Sequence, residues 1–171
     1  LQFSAFEMGR PLFVGDDVPM ARVTALRRAF DASMKDKALI ADADVVVNNF
    51  RAGVMERMGL GYEDCHAINP RIIYAVGTGY GDSGPYAHKG GQDVLAQAMS
   101  GVMARRADDN APVTVYPTAL CDYSAGMHMV QGILLALLQR GKTGVGQKVS
   151  VSLYNSMLAM QMQEAAMIMM A

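Results

Sequence analysis

The 171-residue sequence has no tryptophan, only two cysteines and three histidines, and no long uninterrupted apolar run. The cysteines, Cys65 and Cys121, are far apart and predict neither a disulfide framework nor a metal site. The most apolar stretches, residues 127–138 and 157–171, are interrupted by polar side chains, so no transmembrane helix of about 20 residues is predicted. No basic segment followed by an apolar one begins the chain, so no signal peptide is predicted and the cytoplasm is the expected compartment.

Charged residues are also few, at 18% of the chain, and they nearly balance: 15 basic and 16 acidic residues leave a formal net charge of −1. Because domains that coat nucleic acid or anionic membranes carry a basic excess, neither partner is expected. Apolar residues make up 51% of the sequence, which is enough for a packed core. The 15 methionines are concentrated toward the carboxyl end, where they predict core that packs against parts of a longer protein.

Sequence periodicity predicts helices and strands in succession. Apolar, β-branched runs predict buried strands at 43–48 and 71–76, an alternating strand at 148–153 and a short strand at 113–116. Helical spacing of apolar residues predicts helices at 21–41, 52–59, 63–68, 93–103, 122–140 and from 154 onward. Residues 1–20 and 105–112 are predicted to be irregular. This order of elements predicts an α/β layer fold with a parallel sheet.

A glycine-rich loop at residues 77–91 follows the second predicted strand, and residues 79–84 match the G-x-G-x-x-G pattern of dinucleotide sites. That pattern requires a helix to begin at once, so that its amides meet the pyrophosphate, whereas Pro85 and more loop follow here. We therefore interpret the glycines as positions of positive φ and close backbone approach. A nucleotide-binding α/β module is the weaker alternative.

Two predicted helix starts carry candidate polar groups. At Asp122, the free amides and the positive end of the helix dipole are expected to keep a carboxylate ionised, as a nucleophile requires. Aspartate is also a common N-cap, and spacing alone favours that structural role for both Asp122 and Asp93. Gln92 offers an amide donor to a developing oxyanion, or is a surface residue.

The other residues capable of chemistry form no recognisable set. His66, His88 and His128 are too scattered to hold a metal, and no nucleophile elbow or catalytic triad is present. Cys121 is interpreted as a small buried side chain rather than a thiol nucleophile. No metal site is predicted.

Several short segments, taken in order, resemble the family III CoA-transferases, which include formyl-CoA and carnitine CoA-transferases. The resemblance covers about residues 41–165. It is carried by ADVVVNNFR at 43–51, MGLGY at 58–62, INPRIIY at 68–74, GYG at 79–81, GPY at 84–86, GQD at 91–93, AQ at 96–97, SG at 100–101, Asp122, GIL at 132–134 and KTGVGQ at 142–147. Each segment is common, but their order and spacing are specific.

The resemblance implies a fold and an extent. Residues 21–171 are expected to form the middle of a Rossmann-like large domain, with parallel strands flanked by helices, and residues 1–20 are left unmatched. Family members are considerably longer than this chain, and their smaller second domain is expected beyond residue 171. The full-length form is expected to be a homodimer, and this chain alone is not expected to turn over substrate.

The resemblance also implies a mechanism. In such enzymes the aspartate at the helix start attacks an acyl-CoA thioester to give a mixed anhydride, and the released CoA thiolate converts it into an aspartyl-CoA thioester. A carboxylic acid acceptor then reverses these steps. Carried over, Asp122 is the nucleophile and Gln92 supports it. Acyl-CoA and a carboxylic acid are the substrates, and no permanently bound cofactor is needed.

Matching positions imply a CoA site as well. The implied contacts are Asn49 and Phe50 after the first strand, Arg57 and Met58 in the next short helix, and Lys89 in the glycine-rich loop. Basic side chains suit the phosphates of CoA, and open α/β sheets bind ligands at the carboxyl ends of their strands.

Two alternatives stay open within this resemblance. Acyl-CoA racemases are similar to this sequence but carry a histidine where Gln92 stands, and glutamine cannot exchange protons near neutral pH. The other alternative is a non-catalytic remnant that keeps the fold only for interaction.

Overall fold

The computed structural model describes residues 19–34, 36–103 and 112–170, which contain eight helices and three strands. The helices are α1 (Met20–Met34), α2 (Lys37–Asp42), α3 (Val54–Arg57), α4 (Tyr62–Ile68), α5 (Asp93–Met99), α6 (Leu120–Thr143), α7 (Leu153–Met160) and α8 (Met162–Met170). The strands are β1 (Val45–Asn48), β2 (Ile73–Thr78) and β3 (Lys148–Ser152). The predicted α/β fold is confirmed.

The three strands form one parallel sheet in the order β1-β2-β3. Val45 of β1 pairs with Ile73, and Tyr74 of β2 pairs with Lys148 of β3. β2 lies in the centre and buries five of its six residues. A central parallel strand is covered on both faces, and this is why its sequence is a continuous apolar run.

Helices pack on both faces of the sheet. On one face, Tyr74 joins a core with Met55 of α3, Cys65 of α4 and Leu60 between them, and its hydroxyl donates to the Leu60 carbonyl at 2.9 Å. On the other face α6 packs so closely that a Cβ on Gly132 would lie 2.6 Å from the Val149 side chain. A second core forms where α5, α6 and α7 meet.

Some elements differ from the sequence-based predictions. The helix predicted over 21–41 is two helices, because Asp36 caps α2 by accepting from the Ala38 amide at 2.9 Å. Residues 113–116 are not a strand: none of the strands in the described part of the chain pairs with them, and Val113 and Val115 are half exposed. The predictions for residues 1–18 and 105–111 lie outside the described residues.

The long helix α6 begins and ends at residues other than those predicted. It begins at Leu120 rather than Asp122, and it continues through Gly141 to Thr143. Gly144 ends it with a φ of 77°, a left-handed conformation that glycine adopts without strain. No helix in the described ranges is long and apolar enough to span a membrane.

Candidate active site

The glycine-rich loop is closed at its base by two glycines. A Cβ on Gly79 would collide with the backbone of Gly91, and a Cβ on Gly91 would collide with the backbone of Gly79. The two residues therefore pack backbone to backbone, which only glycine allows. After Gly84 the chain runs through turns until α5 begins at Asp93. This geometry supports the close-approach interpretation and lacks the helix start that a dinucleotide site requires.

Closure of the loop brings the start of α5 against the start of α6. The Asp93 carboxylate points to α6, where its Oδ1 accepts from the amide of Cys121 at 2.7 Å and from that of Asp122 at 3.1 Å. Ala119, the residue before α6, supplies no side-chain cap. Asp93 thus caps the neighbouring helix α6. The prediction that it caps its own helix is wrong, because Asp93 is the first residue of α5 and Gln92 precedes it at the N-cap position. The prediction that Asp122 caps its own helix is wrong, because Asp122 is the third residue of α6.

Gln97, one turn further along α5, holds the Asp93 carboxylate in place. It was not singled out from the sequence. It is fully buried, and its Nε2 donates to Asp93 Oδ2 and to the Thr118 carbonyl, the latter at 3.2 Å. Its Oε1 accepts from the Tyr116 amide at 3.0 Å. The available signal was the spacing of four residues between Asp93 and Gln97, which places both on one helix face.

Asp122 has a carboxylate with raised basicity. Partial desolvation, followed by the negative charge of Asp93, raises the pKa of Asp122 above the ordinary aspartate range. This direction is opposite to the one expected from a helix start, because Asp93 already accepts hydrogen bonds from the first amides of α6. A carboxylate of higher pKa is a stronger base and nucleophile once it is ionised.

Asp122 lies at one end of an apolar groove on the exposed side of α6. The groove encloses about 570 Å³ and is lined by Asp122, Tyr123, Gly126, Met127, Val130 and Gln131. Its largely apolar wall favours an organic group beside the carboxylate. Cys121, on the opposite side of the helix, is fully buried, and burial raises its pKa to about 11. The thiol therefore stays protonated and packs in the core, as predicted.

The residues assigned to CoA by resemblance divide between surface and core. Phe50 lines a cavity of about 310 Å³ at the end of β1. Asn49 is exposed at the same edge, next to Gly77 of β2, and Arg57 is exposed with its guanidinium beside Gly53. Met58 instead packs against the core of α3 and α4.

Gln92 and Lys89 lie on either side of the loop closure. Gln92 is exposed and directly precedes Asp93, at the N-cap of α5. The Lys89 ammonium lies 4.5 Å from the centre of the Tyr86 ring, a cation–π contact that orients it within the loop. The structure therefore places Gln92 near the start of α6 and Lys89 on the loop outside.

Two residues of the β1 cavity were missed from the sequence. Asn48 is 3% exposed, and neither atom of its amide has a hydrogen-bond partner of ordinary geometry among the described residues. Arg51 lies under the loop, where its Nη2 would be 2.9 Å from a Cβ on Gly90. An unpaired buried amide is costly, so the cavity offers a donor and an acceptor to a polar ligand. The signal for Asn48 was its place at the carboxyl end of a strand.

The loop is also fixed to β3 by an ion pair. Asp82 Oδ2 accepts from Lys148 Nζ at 2.8 Å and from Ser150 Oγ at 2.9 Å. Partial burial raises the pKa of Asp82, but the two donors and the lysine charge outweigh it and hold that pKa below the ordinary range. Within the described part of the chain, no three His, Cys, Asp or Glu side chains are grouped to hold a metal ion.

Comparison with known proteins decides the family. The family profile described as CoA-transferase family III matches residues 32–171. This chain belongs to CoA-transferase family III. An acyl-CoA transferase from Fusarium pseudograminearum is 45% identical over 122 residues, which cover 71% of this chain and 27% of that protein. An acetyl-CoA:oxalate CoA-transferase from Acetobacter aceti is 44% identical over 122 residues, which cover 71% of this chain and 31% of that protein.

Solved structures agree with the family III assignment. The crystal structure of a CAIB/BAIF family protein from Brucella suis superposes with a TM-score of 0.75 and 35% identity, covering 79% of this chain and 36% of that one. The resemblance stated from sequence and the Rossmann-like arrangement of parallel strands and helices are therefore confirmed. The chain spans less than a third of the length of the two curated relatives above.

Proposed function

We propose that this family III protein transfers CoA between an acyl-CoA thioester and a carboxylic acid, with Asp122 as the nucleophile. The observation that carries the proposal is the Asp122 carboxylate itself. It is exposed in the first turn of α6, its pKa is raised, and its backbone amide is held by Asp93. The names of the relatives, which include an acetyl-CoA:oxalate CoA-transferase, support the same reaction class.

The proposed chemistry has two exchanges in each direction. A carboxylate oxygen of Asp122 attacks the thioester carbonyl, so that a mixed anhydride forms and CoA thiolate leaves. The thiolate then attacks the aspartyl carbonyl, which gives an aspartyl-CoA thioester and releases the donor acid. An acceptor carboxylate reverses both exchanges and leaves as the new acyl-CoA. Gln92 is proposed to donate its amide hydrogen to the developing oxyanion.

CoA is proposed to bind along the edge where β1 and β2 end. Phe50 supplies an apolar wall of the cavity, and Asn49 a polar group beside it. Arg57 and Lys89 supply positive charge for the phosphates, and Met58 anchors the short segment that carries Arg57 to the core. A homodimer and a cytoplasmic location stay predictions.

The test uses the complete natural polypeptide that contains this sequence. Asp122→Ala and Asp122→Asn are expected to lower CoA transfer by roughly 10³-fold or more, since they remove the group that forms the covalent intermediate. Hydroxylamine is expected to trap an acyl-aspartate only in the unmodified protein. Asp64→Asn, which changes a carboxylate bonded to the Gly61 amide in another part of the fold, is the matched control.

Binding separates the remaining alternatives. Asp122→Asn is expected to keep the affinity for CoA in calorimetry, because the CoA cavity lies at the end of β1. Transfer that continues at the normal rate in Asp122→Ala contradicts the mechanism. A well-folded unmodified protein that gives no heat with CoA supports the non-catalytic remnant instead.

A further inference from the structure

We propose that Asp93 is the positioning residue of the nucleophile, because its carboxylate holds the first turn of α6, and Asp122 with it, in a fixed place. The inference rests on the proposed function only in taking Asp122 as the reacting group. It assigns a role to a residue that neither touches the reacting atoms nor belongs to the same helix.

The first turn of α6 depends on this one side chain. The first amides of a helix have no partner within the helix, and a residue before the helix normally caps them. Ala119 supplies no such cap, and the Tyr123 amide is the one that makes the return bond to the Ala119 carbonyl, at 3.0 Å. The intervening amides of Cys121 and Asp122 are bonded to Asp93. Without Asp93 this turn would lose its cap, and the free energy of its local unfolding would fall.

Asp93 is itself held firmly enough to do this. Its second carboxylate oxygen accepts from the buried Gln97, which also bonds the segment that leads into α6 at Tyr116 and Thr118. Both oxygens of the carboxylate are therefore engaged, one with α6 and one with the core side of α5. The Asp93 carboxylate therefore has little freedom to rotate, and it fixes the position of Asp122 relative to α5.

The charge of Asp93 adds an effect that a neutral cap would not have. Among the residues that the structure describes, the ionisable groups that interact with Asp122 are Asp93 from α5 and the neutral Cys121 thiol of its own helix. The third helix at this junction, α7, has no acidic or basic residue. The negative charge of Asp93 thus raises the pKa of Asp122, and removing that charge without removing the cap will lower it again.

Three variants of the complete natural polypeptide test the proposal. Asp93→Ala removes both cap and charge, and it is expected to lower kcat by about 10²-fold while KM for acyl-CoA changes little, because the CoA cavity is elsewhere. Asp93→Asn keeps an oxygen for the two amides but loses the hydrogen bond from Gln97 Nε2, so kcat is expected to fall less than in Asp93→Ala. The acid limb of the pH–rate profile is expected to move to lower pH. Asp36→Ala removes a comparable cap at α2 and is expected to change neither quantity.

A measurement that needs no turnover separates this proposal from the proposed function. Hydrogen exchange at the Cys121 and Asp122 amides is expected to be slow in the unmodified protein and in Asp93→Asn, and fast in Asp93→Ala. Normal kcat, acid limb and exchange in Asp93→Ala overturn the positioning role, even where Asp122 proves essential. If Asp93→Ala does not fold, fast exchange of the Cys121 and Asp122 amides in the unmodified protein overturns it. Full activity in Asp122→Ala removes the proposed function, and the exchange result still decides whether Asp93 holds this turn.

Discussion

Asp93 and Asp122 are two carboxylates at one helix start whose surroundings give them different roles. Asp93 is engaged through both oxygens and supports structure. Asp122 keeps its carboxylate exposed at the mouth of an apolar groove. The Asp93 carboxylate is therefore fully used in hydrogen bonds, while that of Asp122 is free to react. The negative charge of Asp93 also raises the pKa of Asp122.

The raised pKa of Asp122 predicts where activity is lost on acidification. In the proposed mechanism the ionised carboxylate of Asp122 attacks, so kcat/KM is expected to fall as the pH drops through the pKa of Asp122, which lies above the ordinary aspartate range. A pH–rate profile of the complete natural protein measures this limb. A profile that stays flat down to the ordinary aspartate range contradicts the assignment.

Residue roles could be predicted from sequence only where a local pattern carries them. Asp122 was singled out because it stands near the start of a long apolar helix within a family-like order of segments, and its catalytic role stays a proposal. The partners of Asp93 were missed because the cap and the amides lie 28 and 29 residues apart, and no local spacing reports such a contact. Asn48 and Arg51 were missed because their significance arises only from the cavity that the fold creates.

At the scale of elements, the strands were predicted where burial imposes a pattern. β2 is apolar because helices cover it on both faces, and β3 alternates because one of its faces is less covered. β1 is apolar too, but it is only partly buried and its Val47 is exposed. The alternating residues 113–116 have the same local pattern as β3, but none of the three described strands pairs with them. A period of two therefore shows that a segment is able to pair, while the fold decides whether a partner exists.

The packing of α6 on the sheet predicts a specific non-additive pair. Gly132→Ala is expected to lower the free energy of unfolding by about 1–2 kcal/mol, because the new methyl group would overlap the Val149 side chain. In a Val149→Ala background the same change is expected to cost much less. Urea denaturation of the four proteins of this double-mutant cycle measures the coupling.

Gly141→Ala is the matched control for that cycle. Gly141 lies in the same helix, and nothing lies within 4 Å of a Cβ placed there. The substitution is expected to stabilise by about 0.5–1 kcal/mol, since alanine loses less backbone entropy in a helix. Equal effects at Gly132 and Gly141 would show that the close contact with Val149 is not what keeps residue 132 small.

At the scale of the whole molecule, large apolar surfaces stay uncovered. Five side chains along one side of α6 are more than half exposed: Tyr123, Met127, Val130, Leu134 and Leu138. α8 buries none of its residues, and its Met169 and Met170 are 86% and 87% exposed. The methionines of α8 are therefore not core within the described residues, whereas Met157 of α7 is buried in the second core. The packing of α8 against polypeptide outside the 171 residues stays a prediction.

The tie between the glycine-rich loop and β3 predicts a pH dependence of global stability. The folded state lowers the pKa of Asp82, so the ion pair with Lys148 stabilises the fold above the unfolded pKa, and this contribution disappears as the pH falls through the lowered one. Asp82→Asn is expected to cost at most about 1 kcal/mol at neutral pH, since both partners are partly exposed.

Urea denaturation at neutral and at acid pH measures the difference between Asp82→Asn and the unmodified chain. The difference is expected to shrink as the pH falls. Lys148→Gln, which removes the other partner, is expected to show the same trend. A difference that grows on acidification would contradict the direction of the Asp82 pKa shift.

The backbone contact between Gly79 and Gly91 separates the glycine-rich loop from β2 before it and α5 after it. The loop between them also contacts β3 through Asp82, but the close approach of Gly79 and Gly91 by itself fixes the distance between the end of β2 and the start of α5. Lys89 and Tyr86 lie within the loop. Asp93 lies after it, at the start of α5, and accepts a hydrogen bond from the Asp122 amide. Changes at positions such as Lys89 can thus alter the surface of the loop, while the contacts that position Asp122 relative to the sheet stay in place.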